Sequence, residues 1–95
     1  MDRITALVRN RLVLEGTSAF EAPYLAREVI AFGREIAIVE EPDVVRLAVT
    51  LRALGSALQC APRDRAVVIS VLRRRDLPPA ARFEFIERNW LSDMP

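Results

Sequence analysis

The stretch "EEPDVVRLAVTLRALGSAL" (residues 40–58) carries the strongest structural signal in the chain. Apolar side chains recur along it at spacings of three and four residues, which is the period of one face of an α-helix. These side chains are Val44, Leu47, Ala48, Leu51, Leu54 and Leu58. The acidic residues Glu40, Glu41 and Asp43 stand at the start, where negative charge complements the helix dipole. The pattern predicts a helix at the centre of the core.

The segments on either side repeat the helical pattern, and prolines stand ahead of most of them. We predict further helices over roughly Asp2–Leu14, over Ala22–Ile38, from Pro62 onward and over about Pro79–Leu91. The links between these segments are short, which favours antiparallel neighbours. The sequence therefore predicts an all-α fold, a compact bundle of four to five short antiparallel helices that forms a single domain over residues 1–95.

Two short stretches fit a strand as well as a helix. They are residues 11–15, at the end of the first segment, and the β-branched run Val67-Val68-Ile69. Helix is favoured for the first because no second convincing strand could pair with it, and for the second because helical patterns flank it. Gly33, inside the second predicted helix, costs ~1 kcal/mol relative to alanine. It indicates either the close approach of another helix or a bend.

The composition is that of a globular protein. Hydrophobic residues make up 52% of the 95 residues and charged residues 28%, which is atypical of a disordered chain. The 14 basic residues are all arginine, which the codon bias of a GC-rich genome explains at least as well as function does. With 13 acidic residues, the net charge of the chain is +1. This balance gives no overall attraction to DNA or to an acidic membrane. No apolar run approaches the ~20 residues of a membrane span, and the first residues lack the pattern of a signal peptide. We expect a soluble, cytoplasmic protein.

Catalytic and metal-binding patterns are missing from the sequence. Histidine is absent and Cys60 is the only cysteine, so disulfide frameworks, Cys–His pairs and histidine metal sites are excluded. Cys60 lies between two predicted helices and is interpreted as a small buried residue rather than a reactive thiol. The acidic residues at 40–43 lack the alternating ligands of a calcium loop. We predict a protein that is not an enzyme and that needs no cofactor and no metal.

The arginines of the fourth helix are the main polar feature. Arg63 and Arg65 lie at its start, and the triplet Arg73, Arg74 and Arg75 lies at its end, roughly 15 Å away at the rise of an α-helix. We expect the triplet to complement the negative end of the helix and to bond its last carbonyls. Nucleic-acid binding through these five arginines is the alternative function.

Aromatic residues supply the candidate interaction surface. Phe20, Tyr24, Phe85 and Trp90 add more aromatic surface than the predicted buried stripes need. Such residues mark either a contact with another chain or dimer partner, or a place where the first and last helices cover one another. The leading prediction is a small helical protein that binds another protein, with a second copy of itself as one option.

Two quoted segments and their spacing resemble a known group of proteins. They are "AREVIAFGREIAIVEEPDVVRLAVTLRALG" (residues 26–55) and "VISVLRRRDLPPAARFEFI" (residues 68–86). Together they resemble small helical accessory proteins encoded beside effector genes of the bacterial type VI secretion system. The resemblance implies a non-catalytic role as a chaperone, an adaptor or an immunity-type partner of a secreted effector. No catalytic residue carries over.

Overall fold

A computed structural model describes residues 2–57 and 62–91 of the chain. Within these residues the chain forms five α-helices and a terminal π-helical turn, without a strand: α1 (Arg3–Leu14), α2 (Ala22–Glu35), α3 (Glu41–Ala57), α4 (Pro62–Leu72), α5 (Pro79–Ile86) and the π-helical turn Glu87–Leu91. The predicted all-α class of four to five short helices is confirmed, and both stretches that also fitted a strand are helical or lie directly at a helix end. Across the described part of the chain, no helix combines the length and the apolar character that crossing a membrane requires.

The chain divides into an N-terminal unit, residues 1–49, and a C-terminal unit, residues 50–95. Helix α3 contributes its first half to one unit and its second half to the other. The assignment of all 95 residues to a single domain stays a prediction. The two units are described in turn.

The N-terminal unit is built on the packing of α1 against α2. Helix α1 is capped by Asp2, whose Oδ1 accepts the backbone N–H of Thr5 at 2.8 Å. An ion pair of 3.3 Å between Arg3 and Glu41 joins the start of α1 to the start of α3. The buried apolar side chains of the unit come from all three helices and from the turn after α2: Val8, Leu12, Ala22, Ala26, Val29, Ile30, Ile36, Ile38, Val44, Leu47 and Ala48.

Helix α2 ends at Glu35, three residues before the predicted end at Ile38. The reason is a turn in which Ala37 takes a left-handed conformation, with φ of 60°, and the N–H of Ile38 donates to the carbonyl of Gly33 at 2.8 Å. This is the longer hydrogen bond of a Schellman helix end. A Cβ atom on Gly33 would lie 2.5 Å from the carbonyl oxygen of Ile38 and 3.6 Å from Cδ2 of Leu47. The close approach at Gly33 is therefore made chiefly by the turn that follows its own helix.

The C-terminal unit contains the second half of α3, then α4, which packs against α5, and the π-helical turn. Its buried residues are Thr50, Leu54, Val68, Leu72, Arg82, Phe83 and Ile86. Helix α5 follows Pro78 and begins with Pro79, where a missing N–H costs little. The last predicted helix, Pro79–Leu91, is correct in extent, but its hydrogen-bond pattern changes from α to π at Glu87.

Candidate functional site

The four predicted interaction residues fall into two separate pairs. Phe20 and Tyr24 belong to the N-terminal unit, whereas Phe85 and Trp90 belong to the C-terminal unit. Phe20 is 82% exposed and Tyr24 is 61% exposed, and Phe85 is 45% exposed. Trp90 is half-buried. Each pair is therefore considered with the neighbours in its own unit.

A Schellman turn at the end of α1 shapes the surface around Phe20. Gly16 takes a φ of 101°, which a glycine adopts without steric cost. Its N–H donates to the carbonyl of Val13 at 3.0 Å, and the N–H of Thr17 donates to the carbonyl of Leu12 at 2.9 Å. These two bonds are the complete Schellman pattern. They end the helix directly after Leu14, which is 81% exposed.

A second set of hydrogen bonds forms the turn that leads into α2. The side-chain oxygen of Ser18 accepts the N–H of Glu21 at 3.1 Å, and the carbonyl of Ser18 accepts the N–H of Ala22 at 2.9 Å. The order Ser-x-x-Glu is that of a capping box, of which the serine half is formed here. Phe20 lies inside this capped turn, so its position is set by hydrogen bonds on both sides.

An open groove of about 530 Å³ lies between the end of α1 and the start of α2. We call it the α1–α2 groove, and its lining residues are Arg9, Asn10, Val13, Leu14, Ala19 and Pro23. Phe20 directly follows the lining residue Ala19 in the chain and is not itself part of the lining. Leu14 and Phe20 are the most exposed large hydrophobic residues in the described part of the chain. The groove therefore has an apolar wall that the N-terminal unit leaves open to solvent.

The polar end of the α1–α2 groove is formed by Arg9 and Asn10. The guanidinium of Arg9 donates from Nε and from Nη2 to Oδ1 of Asn10, at 3.3 Å and 3.2 Å. The nearby carboxylate of Glu15 pairs instead with Arg11, at 3.1 Å. Within residues 2–57 and 62–91, Arg9 forms no ion pair. The hydrogen-bond partner of its charged guanidinium is the neutral side-chain amide of Asn10.

The aromatic pair of the C-terminal unit is brought together by the π-helical turn. The ring centres of Phe85 and Trp90 lie 6.2 Å apart at an angle of 57°, a tilted arrangement that aromatic pairs prefer. The side-chain amide of Asn89 donates to the carbonyl of Phe85 at 2.8 Å. Part of each ring is therefore used inside the unit, and this surface offers less open apolar area than the α1–α2 groove.

The five arginines of the alternative site all lie on the surface. Arg63, Arg65, Arg73, Arg74 and Arg75 are exposed. Arg74 donates from Nη2 and Nε to the two oxygens of Asp76, at 2.6 Å and 3.3 Å. This hydrogen bonding lowers the pKa of the Asp76 carboxyl below its ordinary value and raises the pKa of Arg74. At least one charge of the predicted triplet is thus neutralised locally.

Arg82 performs the role that was expected of the arginine triplet. Its side chain is buried, with only 2% of the residue exposed. It donates from Nη1 to the carbonyl of Leu72, at the end of α4, and from Nε to the carbonyl of Leu77, both at 2.9 Å. Sequence reasoning missed this residue, although Arg82 lies four residues before Ile86 and therefore on the buried face of α5.

Within residues 2–57 and 62–91, no cluster of three or more acidic or cysteine side chains could hold a metal ion. Glu41, one of the acidic residues before α3, pairs with Arg3. Cys60 and the prediction made for it lie outside the described residues.

Comparison with known proteins found no similarity that would indicate a function, so a functional proposal has to rest on the geometry of this chain. No protein-family model matches the chain, and neither the curated proteins nor the solved structures give a match.

Proposed function

We propose that this protein is a non-catalytic interaction protein that binds another protein chain through the α1–α2 groove. The observation that supports the proposal is that the highly exposed Leu14 lines the groove, and that the equally exposed Phe20 directly follows Ala19, another lining residue, in the chain. Single exposed apolar residues are common on protein surfaces and need no explanation. A group of them around a groove is typical of a binding surface.

The energetic reason for binding is the burial of these side chains. Full burial of a leucine or phenylalanine side chain stabilises a complex by about 1.5–3 kcal/mol relative to exposure. Two such residues, with Val13 and Pro23 beside them, could therefore offset part of the entropy that association costs. Aromatic residues such as Phe20 are enriched in the cores of protein interfaces, and a polar rim surrounds them.

The resemblance described above supports a more specific biological role. We propose a cytoplasmic accessory protein of bacterial type VI secretion, which acts as a chaperone, an adaptor or an immunity-type partner of a secreted effector. Tyr24, which is exposed on the first turn of α2, would widen the same contact. Phe85 and Trp90 form a smaller candidate surface in the C-terminal unit.

The proposal is tested by affinity capture with matched variants. The chain should retain a partner from a lysate of its host, and the double substitution Leu14→Ser with Phe20→Ser should abolish the capture. Val67→Ser is the control, because it removes a 46% exposed hydrophobic side chain from the other unit at a position with no predicted binding role. Circular dichroism confirms that each variant is folded. Equal capture by the double variant and the parent chain would contradict the proposal, and a concentration-dependent mass in sedimentation would indicate that the partner is a second copy.

A nucleic-acid-binding regulator is the second candidate function, and the charge distribution favours it. Residues 50–95 contain eight arginines against five acidic residues, whereas residues 1–49 contain six arginines against eight acidic residues. Exposed basic residues on one unit attract phosphates. The pairing of Arg74 with Asp76 reduces this attraction.

A titration of mixed DNA and RNA at low salt decides between the two functions, because phosphate attraction is strongest there. Binding that disappears when Arg73, Arg74 and Arg75 are replaced by glutamine would establish the alternative. A chain that leaves all nucleic acids unshifted at micromolar concentration would end it.

A further inference from the structure

The α1–α2 groove has both an apolar wall and a positive end, and this combination restricts what it can bind. We propose that its occupant is an amphipathic helix of a partner protein, with apolar anchors against Val13 and Leu14 and a carboxylate on Arg9. This inference rests on the proposed function and adds the chemistry of the partner to it.

A helical occupant follows from the secondary structure around the groove. An extended peptide binds best by adding a strand to a sheet edge, but no strand occurs in residues 2–57 and 62–91. A proline-rich segment binds between aromatic rings, whereas the lining of this groove contains none. The remaining common mode places the apolar face of a helix in a groove, with anchors three or four residues apart.

The size of the groove agrees with more than one anchor. Its volume of about 530 Å³ lies within the ~300–1,000 Å³ of typical binding clefts. Two large apolar side chains on successive turns of a helix would fit an open space of this volume. Leu14 and the adjacent Phe20 would be covered as the helix binds.

The carboxylate follows from the state of Arg9. A guanidinium has five N–H donors arranged to hold a carboxylate with two parallel bonds. In this protein two donor atoms of Arg9 bond the single oxygen Oδ1 of Asn10, at 3.3 and 3.2 Å. Asn10 carries no charge, so an acidic side chain at the groove would gain an ion pair without displacing an existing one. A basic side chain at the same position would be repelled by Arg9.

The experiment uses the full chain and a displayed library of amphipathic helices of about 16 residues, a length that can hold helical structure. We expect the selected peptides to share two apolar anchors at helical spacing and to be enriched in glutamate or aspartate next to them. The affinity of a selected peptide is then measured by fluorescence anisotropy. Leu14→Ser should weaken binding at least tenfold, and Val67→Ser, which removes a 46% exposed hydrophobic side chain from the C-terminal unit, should leave it unchanged.

A double-mutant cycle tests the ion pair itself. Arg9→Gln should weaken binding of the acidic peptide about tenfold, which is a typical scale for a well-formed charge pair. The same substitution should have no effect on the peptide in which glutamine replaces the acidic residue. Circular dichroism shows that each variant keeps its helical content.

Three outcomes overturn the inference: no peptide is selected, the selected peptides show no acidic enrichment, or Arg9→Gln weakens both peptides equally. These outcomes are distinct from a failure of the proposed function. If the affinity capture still depends on Leu14 and Phe20 while Arg9→Gln has no effect, the groove binds a protein but the charge assignment is wrong.

Discussion

Replacement of Gly33 by alanine is the most direct test of how the N-terminal unit is packed. The new Cβ atom would lie 2.5 Å from the carbonyl oxygen of Ile38. That oxygen belongs to the backbone, so it cannot rotate away as the end of a flexible side chain could. The contact of 3.6 Å with Cδ2 of Leu47 is ordinary packing and adds no strain. The turn after α2 must therefore move to admit the methyl group.

The size of the effect is the difference between two opposing contributions. Helix propensity alone favours alanine over glycine by ~1 kcal/mol. Forcing extra volume into a packed site costs about 1–3 kcal/mol, and a shift of the turn also weakens the bond of 2.8 Å from Ile38 to Gly33, which is worth about 1 kcal/mol. We expect Gly33→Ala to lower the free energy of unfolding by about 1–3 kcal/mol.

Gly55 provides a matched control for the same chemical change. It also lies in a helix, but apart from the backbone of that helix no atom in the described part of the chain comes within 4 Å of the Cβ that an alanine would add there. Gly55→Ala should therefore stabilise the chain by up to ~1 kcal/mol. Urea unfolding followed by far-ultraviolet circular dichroism compares each variant with the parent chain. If Gly33→Ala is as stable as the parent or more stable, the packing described for this turn is wrong.

Five further substitutions test separate features of the structure. Ala37→Gly should raise the free energy of unfolding by about 1 kcal/mol, because φ of 60° costs a residue with a side chain about 1–2 kcal/mol; thermal unfolding measures it. Thr17→Val should raise stability by about 1 kcal/mol, because the buried hydroxyl makes no hydrogen bond in the described part of the chain, and a loss of stability would contradict this. Arg82→Met should lower the free energy of unfolding by about 3 kcal/mol or more, since the carbonyls of Leu72 and Leu77 lose a charged hydrogen-bond donor. Arg74→Met should leave the melting temperature unchanged, because the ion pair that it removes is exposed to solvent. Hydrogen bonds to the side chain and to the backbone of Thr5 lower the pKa of Asp2. The stabilisation that Asp2 provides is therefore present above about pH 4 and is lost as the pH falls through the lowered pKa. Asp2→Asn should flatten the acid side of the plot of melting temperature against pH.

The helical class could be predicted because the spacing of apolar residues is a local property. Val44 and Leu47 lie on the buried face that the pattern assigned to them, and residues 11–14 continue a helix rather than form a strand. The end of α2 could not be placed in the same way. It depends on Ala37, a residue that normally favours helix, in a conformation that only the surrounding turn can impose.

The candidate site could be predicted only in part. The sequence identified Phe20 and Tyr24 as surplus aromatic surface, and both are exposed. It did not identify Leu14, because a leucine at the end of an amphipathic helix fits the core as well as the surface. Arg9 was also missed, since one arginine among 14 has no distinguishing pattern until its neighbours are known.

The contrast between Arg82 and the triplet shows why charge runs in sequence are poor guides to sites. The last carbonyls of α4 need hydrogen-bond donors, and adjacent arginines in the chain are the obvious candidates. A donor that is buried with the carbonyl is more effective, because water does not compete with it there. Arg82 arrives from the next helix and satisfies Leu72 from inside the unit. The triplet is thereby left on the surface, where its contribution to any function depends on the partner it meets.

The link between α1 and α2 has the opposite character, since it is fixed locally and open to solvent. Gly16 and Thr17 close the end of α1, and Ser18 caps the turn into α2. The backbone at Leu14 and Phe20 is therefore fixed by these bonds before any partner arrives. A binding surface that is ordered before contact loses little conformational entropy when a partner arrives. This is the physical reason to expect that the exposed apolar residues of the N-terminal unit serve recognition, because folding stability alone would favour polar side chains at both positions.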